Sequence, residues 1–417
     1  MDLWHIRGGR RLEGSCTVQG SKNATLPILA ATILWPLRCE LYHVPRLRDV
    51  DAALKILRHL GCTARQTEEC VYIDSTTLSC CAIPHELMSE MRSSVIFMGA
   101  LIARCGEASL SLPGGCQLGK RPIDLHLAAL ERLGAEICQE GEEIRCSPAK
   151  LRGAEILLPF PSVGATENAM LAACGAKGET VIRGAAREPE IEALQCFLRA
   201  MGARVRGAGS ECIRIGEATV HGSSAFRMPS DRIAGASFAC ACAAAGGDVQ
   251  LRGIEARQIS TVLHFLNEAG CDIINSNYGL RLKSRGRLRA VGPVITAPYP
   301  GFPTDAQPLL MAALLTARGE STIYESIFEN RYRQVPELRR LGAEIQLDGR
   351  WARIRGVEAL QGAALSATDL RGGAAMILAG LSAQGETLVM DEGHVKRGYE
   401  EFDRCLRQLG ADIVLEH

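Results

Sequence analysis

Two kinds of helical pattern recur along the chain, and they differ in how their apolar residues are distributed. One example of the first kind has five apolar residues at helical spacing with polar residues between them: Ile191, Leu194, Phe197, Leu198 and Met201. This is the pattern of an amphipathic helix with one buried face. Gly202 follows, a residue that tolerates left-handed backbone at a helix C-terminus, and the next stretch, ARVRG, is typical of a strand. The sequence therefore predicts an outer helix that turns into a strand.

The second kind of segment is apolar nearly all round and rich in alanine and glycine. Six such segments begin near residues 23, 93, 166, 232, 305 and 371, and they read NATLPILAATIL, SSVIFMGALIARCG, TENAMLAACGAKG, RIAGASFACACAAAGG, DAQPLLMAALLTARG and RGGAAMILAGLSAQG. A helix without a polar face is buried, and small residues let several buried helices approach closely. These segments therefore predict six inner helices.

A short phrase that ends the amphipathic pattern recurs six times. Its variants are LGCTA, LGAEI, MGARV, AGCDI, LGAEI and LGADI, with glycines at 61, 134, 202, 270, 342 and 410. Six units of about 70 residues thus account for the whole chain. We expect an α/β fold of two globular domains, each built from three units, with inner helices at the centre and sheets facing solvent or outer helices. A solenoid is the alternative, but solenoid helices usually keep a polar face.

Composition bounds the class of protein. The chain has 417 residues, enough for two domains, and its 47 basic residues are matched by 47 acidic ones. This balance gives no support for nucleic-acid or membrane-surface binding. The N-terminal sequence MDLWHIRGGRRLEG lacks the apolar core of a signal peptide, and the longest apolar run, near PILAATILW, is about half a membrane span. We expect a soluble, cytoplasmic protein.

The cysteines do not predict a metal site. There are 17 of them, scattered, without a CxxC pair or a Cys/His cluster at zinc spacing. The expectation is that most are small buried hydrophobes in a reducing compartment.

The starts of the inner helices carry unexpected charges. Lys22, Arg92, Arg232 and Arg371 lie at four of the six starts, where the partial positive charge of a helix N-terminus disfavours a cation. The simplest account is an anion held between these termini by dipole and cation together. Arginine suits this role because its planar fork grips carboxylate or phosphate with two bonds. The sequence therefore predicts a cleft for a strongly anionic ligand.

Acidic and hydroxyl residues at the same starts have a simpler interpretation. Asp or Thr before a helix is a common N-cap, which covers Thr166, Asp305 and Asp231. Among the few acids near the predicted cleft, Asp305 is the best placed to act as a base. Arg121 and Arg397 lie on other segments and are further candidates for the cleft.

One cysteine differs from the rest in its surroundings. Cys116 lies in SLPGGCQLGKRPIDLH, residues 111–126, among glycines that make the loop mobile. Lys120 and Arg121 follow closely, and nearby cations lower the pKa of a thiol. A single cysteine in such a loop is often structural or incidental. The alternative is a lid that carries a reactive thiol over the anion site.

Ordered motifs along the whole chain carry a family resemblance. They are GSKNA at 20, MRSS at 91, LPGGCQLGKRPIDLH at 112, SVGATEN at 162, AAREPEI at 185, FPTDAQ at 302, FENR at 328, TDLR at 368 and RGYE at 397. With these motifs in this order, the chain resembles the UDP-N-acetylglucosamine 1-carboxyvinyltransferase family of enolpyruvyl transferases. The related enolpyruvyl-shikimate-phosphate synthases are expected to share the fold but not the PGGC loop.

The resemblance implies a fold and a reaction. The fold is a two-domain inside-out α/β barrel with six βαβαββ-like repeats, three per domain. The first domain would comprise residues 1–21 and 230–417, and the second residues 22–229. Members transfer enolpyruvate from phosphoenolpyruvate to the 3′-hydroxyl of UDP-N-acetylglucosamine and release phosphate, the first committed step of peptidoglycan synthesis. No metal or organic cofactor is implied.

The resemblance also implies roles for individual residues. Cys116 matches the general acid, which can form a covalent adduct with phosphoenolpyruvate and is the target of the epoxide fosfomycin. Asp305 matches the base for the sugar hydroxyl. Lys22, Arg121 and Arg397 would hold the phosphate and carboxylate of phosphoenolpyruvate. The residues implied to contact the nucleotide sugar or to complete the charged cleft are Asn23, Arg92, Arg121, Pro122, Ile123, Asp124, Leu125, Pro161, Ser162, Val163, Gly164, Ile327, Phe328, Arg331 and Arg371.

Three departures from the family pattern leave other functions open. Ala234 stands where the family carries an acid, Gln334 where it carries a histidine, and Lys396 where an aspartate is frequent. One alternative is a transferase with another acceptor, such as shikimate 3-phosphate. Another is a catalytically silent paralogue that binds UDP-sugars and regulates a partner. A repeat scaffold without a ligand does not explain the cations at the helix starts.

Overall fold

The computed structural model describes residues 1–112, 123–147, 150–220, 223–276 and 278–416. Short strands and helices alternate throughout these ranges. The strands are β1 (Asp2–Arg7), β2 (Leu12–Thr17), β3 (Arg38–Tyr42), β4 (Thr63–Gln66), β5 (Cys70–Asp74), β6 (Ala82–Ile83), β7 (Ala108–Ser111), β8 (Glu136–Glu140), β9 (Glu143–Ser147), β10 (Glu155–Leu157), β11 (Thr180–Arg183), β12 (Arg204–Arg206), β13 (Cys212–Gly216), β14 (Ser223–Arg227), β15 (Gly247–Arg252), β16 (Asp272–Ser276), β17 (Gly279–Ser284), β18 (Val294–Ile295), β19 (Glu320–Tyr324), β20 (Glu344–Asp348), β21 (Trp351–Arg355), β22 (Leu360–Gln361), β23 (Ala364–Ser366), β24 (Ala383–Gln384), β25 (Glu386–Asp391) and β26 (Asp412–Glu416).

The helices fall between these strands. They are α1 (Lys22–Ala31), α2 (Arg48–His59), α3 (His85–Glu90), α4 (Phe97–Cys105), α5 (Asp124–Arg132), α6 (Val163–Ala173), α7 (Pro189–Ala200), α8 (Arg232–Ala245), α9 (Ser260–Glu268), α10 (Gln307–Leu314), α11 (Val335–Arg340), α12 (Leu370–Ser382) and α13 (Phe402–Gln408). Short 3₁₀ helices cover Arg92–Ile96, Ala256–Ile259, Thr304–Ala306 and Val395–Arg397.

Two compact units divide the described residues. One comprises residues 1–19 and 230–416, and the other comprises residues 20–112, 123–147, 150–220 and 223–229. The chain therefore begins in the first unit, builds the second and returns to the first. The units begin at residues 20 and 230, and the domains expected from the sequence begin at 22 and 230. The domain assignment itself stays a prediction.

The described residues form six four-stranded sheets, three in each unit. Every one of these sheets has a parallel pair at one edge, followed by two antiparallel pairs. In the sheet of β14, β3, β5 and β4, Phe226 lies opposite Leu41 in parallel register, and Leu41 lies opposite Val71 in antiparallel register. A parallel pair needs a crossover connection. In four sheets that crossover contains an inner helix: α4, α6, α10 or α12.

The inner helices form the centre of each unit, as the apolar patterns predicted. In one unit α8, α10 and α12 contact one another, and in the other α4 contacts both α1 and α6. Residues 233–243 of α8 are buried without interruption, as are residues 371–381 of α12. Small residues make such close contact possible. At Gly99 of α4, for example, the backbone nitrogen lies 2.7 Å from Oδ1 of Asn168 on α6. The expected fold class is confirmed.

The outer helices end where the repeated phrase placed them. Helix α7 covers Pro189–Ala200, and Gly202 just beyond it has a φ of 103°. All six repeat glycines have positive φ, between 89° and 110°. Only glycine adopts this left-handed backbone without strain, which explains why the phrase repeats.

Two details differ from the patterns. The second and fifth inner segments begin as 3₁₀ helices, Arg92–Ile96 and Thr304–Ala306, before α4 and α10. Of the described cysteines, which are all free, only eight are buried, while Cys105, Cys138 and Cys196 are exposed. Where burial is deep it raises the thiol pKa, to about 12 for Cys16 and Cys39.

Within the ranges described above, every helix is too short or too polar to cross a bilayer.

Candidate active site

Asp305 lies at the centre of an ion-pair cluster in the first unit. Its Oδ1 accepts a hydrogen bond from Nη2 of Arg331 at 2.8 Å, and its Oδ2 accepts from Nε and Nη2 of Arg371 at 3.2 and 3.1 Å. The two arginine side chains are 1% and 4% exposed, whereas the aspartate is 33% exposed. Two buried cations therefore orient a carboxylate that remains open to solvent.

Arg331 is itself held by the 3₁₀ helix that carries Asp305. Its Nε and Nη2 donate to the carbonyl of Thr304 at 3.2 and 3.0 Å, and Oγ1 of Thr304 donates to Oε2 of Glu325 at 3.0 Å. The other oxygen of Glu325 accepts from the backbone N–H groups of Ile327 and Phe328 at 2.9 and 3.0 Å. Glu325 is 1% exposed, and it ties the predicted sugar-contacting residues to the Asp305 cluster.

Besides the ion pair with Asp305, two kinds of contact hold Arg371 at the start of α12. The N-cap residue Asp369 accepts hydrogen bonds from the N–H groups of Arg371 and Gly372, both at 3.0 Å. The guanidinium lies 5.3 Å from the ring centroid of Tyr399, whose hydroxyl is 2.8 Å from Oγ of Ser237. Burial lowers the pKa of Arg371, but the Tyr399 side chain and the charge of Asp305 more than offset this, so its pKa is raised. Arg371 is therefore a permanent cation.

Arg397 ends a short 3₁₀ turn on a different segment of the same unit. The turn is anchored by Asp391, whose carboxylate accepts from the N–H groups of His394 and Val395 at 2.8 and 3.1 Å. The departure at position 396 has a local explanation, since Nζ of Lys396 donates to Oδ1 of Asp2 at 2.9 Å. Lys396 therefore closes the turn onto β1.

The other two departures lie in the core of this unit. Ala234 is fully buried in the first turn of α8, and its N–H donates to the N-cap Asp231 at 2.9 Å. Gln334 is fully buried; its Nε2 lies 3.7 Å from Sδ of Met311, and its Oε1 has no hydrogen-bond partner among the described residues.

Lys22 forms the corresponding ion pair in the second unit. It is the first residue of α1, capped by Ser21, and its Nζ lies 3.2 Å from Oδ2 of Asp49 on α2. The side chains of Lys22 and Asp49 are 12% and 5% exposed. Asn23 follows on the same helix turn. The pair therefore fixes the ammonium at the start of a buried helix.

A turn before α6 carries the other predicted binding residues of this unit. Ser162 is the N-cap and accepts from the N–H of Ala165 at 3.4 Å, so Val163 and Gly164 form the first turn with Pro161 just before it. Ile123, Asp124 and Leu125 stand at the start of α5, which contacts α6. Arg92 opens the 3₁₀ helix before α4.

The expected caps are only partly correct. Asp231 caps α8 as predicted. Thr166 does not cap α6, because it lies inside the helix, where its Oγ1 donates to the carbonyl of Ser162 and accepts from the N–H of Ala186. Asp305 does not cap α10, because it lies inside the 3₁₀ helix Thr304–Ala306 and the N-cap residue of α10 is Ala306. Among the described residues, the side-chain caps that the patterns did not predict are Ser21, Ser162 and Asp369.

The unexpected cations at helix starts have internal partners. Asp49 pairs with Lys22, and Asp305 pairs with Arg371. Arg232 lies 5.9 Å from the ring centroid of Tyr299. Internal carboxylates thus account for part of the charge pattern from which the anion site was inferred, and the anion site stays a prediction. Cys116, Arg121 and Pro122 lie outside the described residues.

Pattern analysis missed three polar residues next to these sites. His126 is 9% exposed and its Nδ1 lies 2.9 Å from Nδ2 of Asn168. Asp49 lies in no quoted motif, whereas His126 ends the motif that begins at residue 112 and Asn168 ends SVGATEN. For His126 and Asn168, the signal that could have identified them is a polar residue at the end of a motif, on a helical face that is otherwise buried.

A buried acid lies deeper in the same unit. Glu167 of α6 is 6% exposed, and burial raises its pKa well above the ordinary range, with smaller contributions from the charges of Glu190 and Glu188. A raised pKa means that the folded state binds the proton more tightly than the unfolded state does. Its stabilising contribution is therefore complete below the unfolded pKa and is lost as pH rises through the folded pKa.

We therefore expect Glu167→Gln to stabilise the protein at alkaline pH. At pH 8 the free energy of unfolding should exceed that of the unmodified protein by about 1 kcal/mol or more for each unit by which the pKa is raised. The gain should shrink toward pH 4. Urea unfolding across this range measures it, with the exposed Glu211→Gln as the matched control. A Glu167→Gln protein less stable than the unmodified one at pH 8 would contradict the expectation.

Three comparisons relate the chain to known proteins. The sequence profile of the family described as EPSP synthase (3-phosphoshikimate 1-carboxyvinyltransferase) matches residues 6–406. A UDP-N-acetylglucosamine 1-carboxyvinyltransferase 2 from Caldanaerobacter subterraneus subsp. tengcongensis is 46% identical, with 99% of each chain covered. A UDP-N-acetylglucosamine 1-carboxyvinyltransferase 1 from Symbiobacterium thermophilum is 47% identical, over 98% of this chain and 94% of that protein.

Solved structures share the fold. The enolpyruvyl transferase NikO from Streptomyces tendae superposes with a TM-score of 0.88 at 24% identity, covering 99% of this chain and 98% of its own. An EPSP synthase from Acinetobacter baumannii gives a TM-score of 0.78 at 20% identity over the full length of both chains.

Proposed function

Because this chain belongs to the UDP-N-acetylglucosamine 1-carboxyvinyltransferase family of enolpyruvyl transferases, we propose that it transfers enolpyruvate from phosphoenolpyruvate to the 3′-hydroxyl of UDP-N-acetylglucosamine. The observation that carries the proposal is Asp305, a carboxylate one-third open to solvent and oriented by two buried guanidinium groups. The proposed setting is the cytoplasm, and the proposed role is the first committed step of peptidoglycan synthesis.

The reaction is an addition followed by an elimination. A proton is added to C3 of phosphoenolpyruvate, C2 acquires positive character, and the sugar oxygen bonds to C2 while its own proton goes to a base. Loss of phosphate from C2 and of a proton from C3 then restores the double bond in the product. The addition step needs an acid that protonates C3 of phosphoenolpyruvate and a base that takes the proton of the sugar hydroxyl bonding to C2.

The base is Asp305 in this proposal. A base must keep one oxygen directed at the hydroxyl it deprotonates, and an aspartate free to rotate would do so only part of the time. Arg331 holds Oδ1 and Arg371 holds Oδ2, so the carboxylate has one orientation. The Asp305 side chain is one-third exposed, so the carboxylate is open to a substrate hydroxyl and can accept its proton.

The acid is Cys116, and the anionic ends of phosphoenolpyruvate are bound by Lys22, Arg121 and Arg397. Support comes from the described cations. Lys22 is held by Asp49, and Arg397 stands on a turn that Asp391 anchors. The Lys22 ammonium, restrained by its ion pair, loses little side-chain freedom when it binds phosphate or carboxylate.

The nucleotide sugar is bound in this proposal by the turn before α6, the start of α5, the starts of the first two inner segments and the loop after β19. The contributing residues are Asn23, Arg92, Arg121, Pro122, Ile123, Asp124, Leu125, Pro161, Ser162, Val163, Gly164, Ile327 and Phe328. The free N–H groups of the first turn of α6 carry partial positive charge, which suits a diphosphate. Arg331 and Arg371 complete the charged site.

A direct assay tests the proposed function. The purified protein is mixed with phosphoenolpyruvate and UDP-N-acetylglucosamine, and phosphate release is followed together with the new enolpyruvyl ether by mass spectrometry. Equal amounts of both products support the proposal. Turnover only with shikimate 3-phosphate would assign a different acceptor, and tight UDP-sugar binding without turnover would indicate a silent paralogue.

Cys116 gives a second, independent prediction. We expect the epoxide fosfomycin to alkylate Cys116 before any other cysteine, and Cys116→Ser to lower turnover at least about tenfold because a hydroxyl is a much weaker acid than a thiol. Peptide mass spectrometry identifies the labelled residue. The exposed Cys105, Cys138 and Cys196 are the internal controls, and labelling of one of them first would argue against a special role for Cys116.

A further inference from the structure

The side-chain amide of Asn168 has a single possible orientation. Its Oδ1 lies 2.7 Å from the backbone nitrogen of Gly99, which can only donate, and its Nδ2 lies 2.9 Å from the carbonyl of Val95, which can only accept. In the reverse orientation the amide NH₂ would face the N–H of Gly99, and the amide oxygen would face the carbonyl of Val95, so neither pair could form a hydrogen bond. The amide nitrogen of Asn168 is therefore the atom that faces Nδ1 of His126, at 2.9 Å.

This orientation determines the tautomer of His126. The amide nitrogen donates, so Nδ1 must be the acceptor and carries no hydrogen. A neutral imidazole then has its single hydrogen on Nε2. Protonating the ring would put a second donor against the Asn168 amide. Burial, together with the charge of Arg92 and against an opposing contribution from Asp124, lowers the pKa of His126 to about 4, so the ring is neutral at pH 7.

The Nε2–H donor lies beside the first turn of α6. A Cβ placed on Gly164 would be 2.9 Å from Cε1 and 3.2 Å from Nε2 of His126. Glycine at 164 is therefore what allows the imidazole edge to reach the turn. Helix α6 begins here with Ser162 as its cap, and among the described residues Nε2 has no hydrogen-bond partner. His126 is 9% exposed as a residue, and an Nε2–H without a protein acceptor can donate to an acceptor on a ligand.

We propose that His126 is a ligand-binding residue that donates its Nε2–H to an oxygen of the diphosphate of the nucleotide sugar at the first turn of α6. This inference rests on the proposed function, which supplies the ligand. A phosphate oxygen is an acceptor only, and it is attracted by the N–H groups of the same helix turn. His126 adds a neutral donor whose direction Asn168 fixes in advance.

Two substitutions of His126 separate its two nitrogens. His126→Asn keeps an acceptor near the position of Nδ1 for the Asn168 amide but has no group at Nε2. His126→Gln can place an amide N–H near Nε2. A hydrogen bond to a charged group contributes enough that we expect the Kd of His126→Asn for UDP-N-acetylglucosamine to rise about 10- to 100-fold, and that of His126→Gln to rise less. The KM for phosphoenolpyruvate should change less than the KM for the nucleotide sugar.

Calorimetric titration with UDP-N-acetylglucosamine and with UDP alone measures these affinities, and the exposed His264→Asn is the matched control. Equal fractional losses for the two ligands are expected, since both contain the diphosphate. If affinity falls for the nucleotide sugar but not for UDP, His126 donates to the sugar and not to the diphosphate, and the inference is overturned. Unchanged affinity in His126→Asn would overturn it while leaving the proposed function intact. Failure of the unmodified protein to bind either ligand would overturn both.

A spectroscopic measurement on the unmodified protein tests the tautomer directly, and the variant is needed only to assign the resonances. In ¹⁵N-histidine-labelled protein at pH 7, the resonances of His126, assigned by their absence in His126→Asn, should show hydrogen on Nε2 and none on Nδ1. UDP should shift the Nε2–H signal. Hydrogen on Nδ1, or an Nε2–H signal that UDP leaves unchanged, would contradict the proposed donor.

Discussion

Replacing Asp305 with asparagine is expected to lower kcat by about 10²- to 10⁴-fold, the usual contribution of a positioned acid or base. An amide of the same shape cannot accept the hydroxyl proton, so the loss belongs to the chemical step. The Kd for UDP-N-acetylglucosamine should change by a much smaller factor. Steady-state kinetics and calorimetric titration measure the two quantities separately.

The ion pairs of Asp305 require a stability control for this variant. An amide offers one acceptor oxygen where the carboxylate offers two, so either Arg331 or Arg371 loses its acceptor. Leaving a buried charged donor without its partner costs about 1–3 kcal/mol, which urea unfolding would detect. The exposed Asp348→Asn should change neither stability nor turnover. A folded Asp305→Asn protein with kcat within about threefold of the unmodified enzyme, far below the contribution of a general base, would remove Asp305 from the base role.

Replacing Lys22 with alanine is expected to weaken phosphoenolpyruvate binding about 10- to 100-fold, because a charge-assisted bond to the substrate is lost. The UDP-N-acetylglucosamine affinity should stay close to that of the unmodified protein. Competition titrations with each substrate measure the two constants. Lys55→Ala is the matched control, since Lys55 of the same unit pairs with Glu90 on the surface and is 52% exposed.

Asp49 allows the structural and functional roles of Lys22 to be separated. The carboxylate of Asp49 is 5% exposed, and removing its partner leaves a buried charge, which typically costs about 3–5 kcal/mol of stability. In the double variant Lys22→Ala with Asp49→Asn that charge is absent, so stability should recover while phosphoenolpyruvate binding stays weak. Recovery of both would show that Lys22 acts only through the fold.

Much of the architecture was predictable because it depends on local order. The amphipathic spacing of Ile191 to Met201 sets one face of α7, and the missing side chain of Gly202 permits the backbone that ends the helix. The inner helices were equally clear, since a stretch without a polar face has no stable place at a surface. These properties are carried by residues within one or two turns of each other.

The partners of the charged residues were not predictable in this way. The pattern at the helix starts identified Lys22 and Arg371 as anomalous cations, and the anion expected beside each was a ligand. The structure shows a carboxylate of the protein itself beside each, 27 residues away at Asp49 and 66 residues away at Asp305. No periodicity links positions so far apart, because only the packing of separate helices determines which side chains meet.

The sequence alone therefore determined the local features of the fold. These are the six repeated units, the two classes of helix, the left-handed glycines and the positions of the cations at the helix starts. The tertiary structure decided which carboxylate pairs with which cation. It also placed Asn168, 42 residues from His126, where its amide determines which nitrogen of the His126 ring carries the hydrogen. The physical reason is that helix and turn formation depend on near neighbours, whereas ion pairing and tautomer choice depend on atoms that folding alone brings within 3 Å or so of each other.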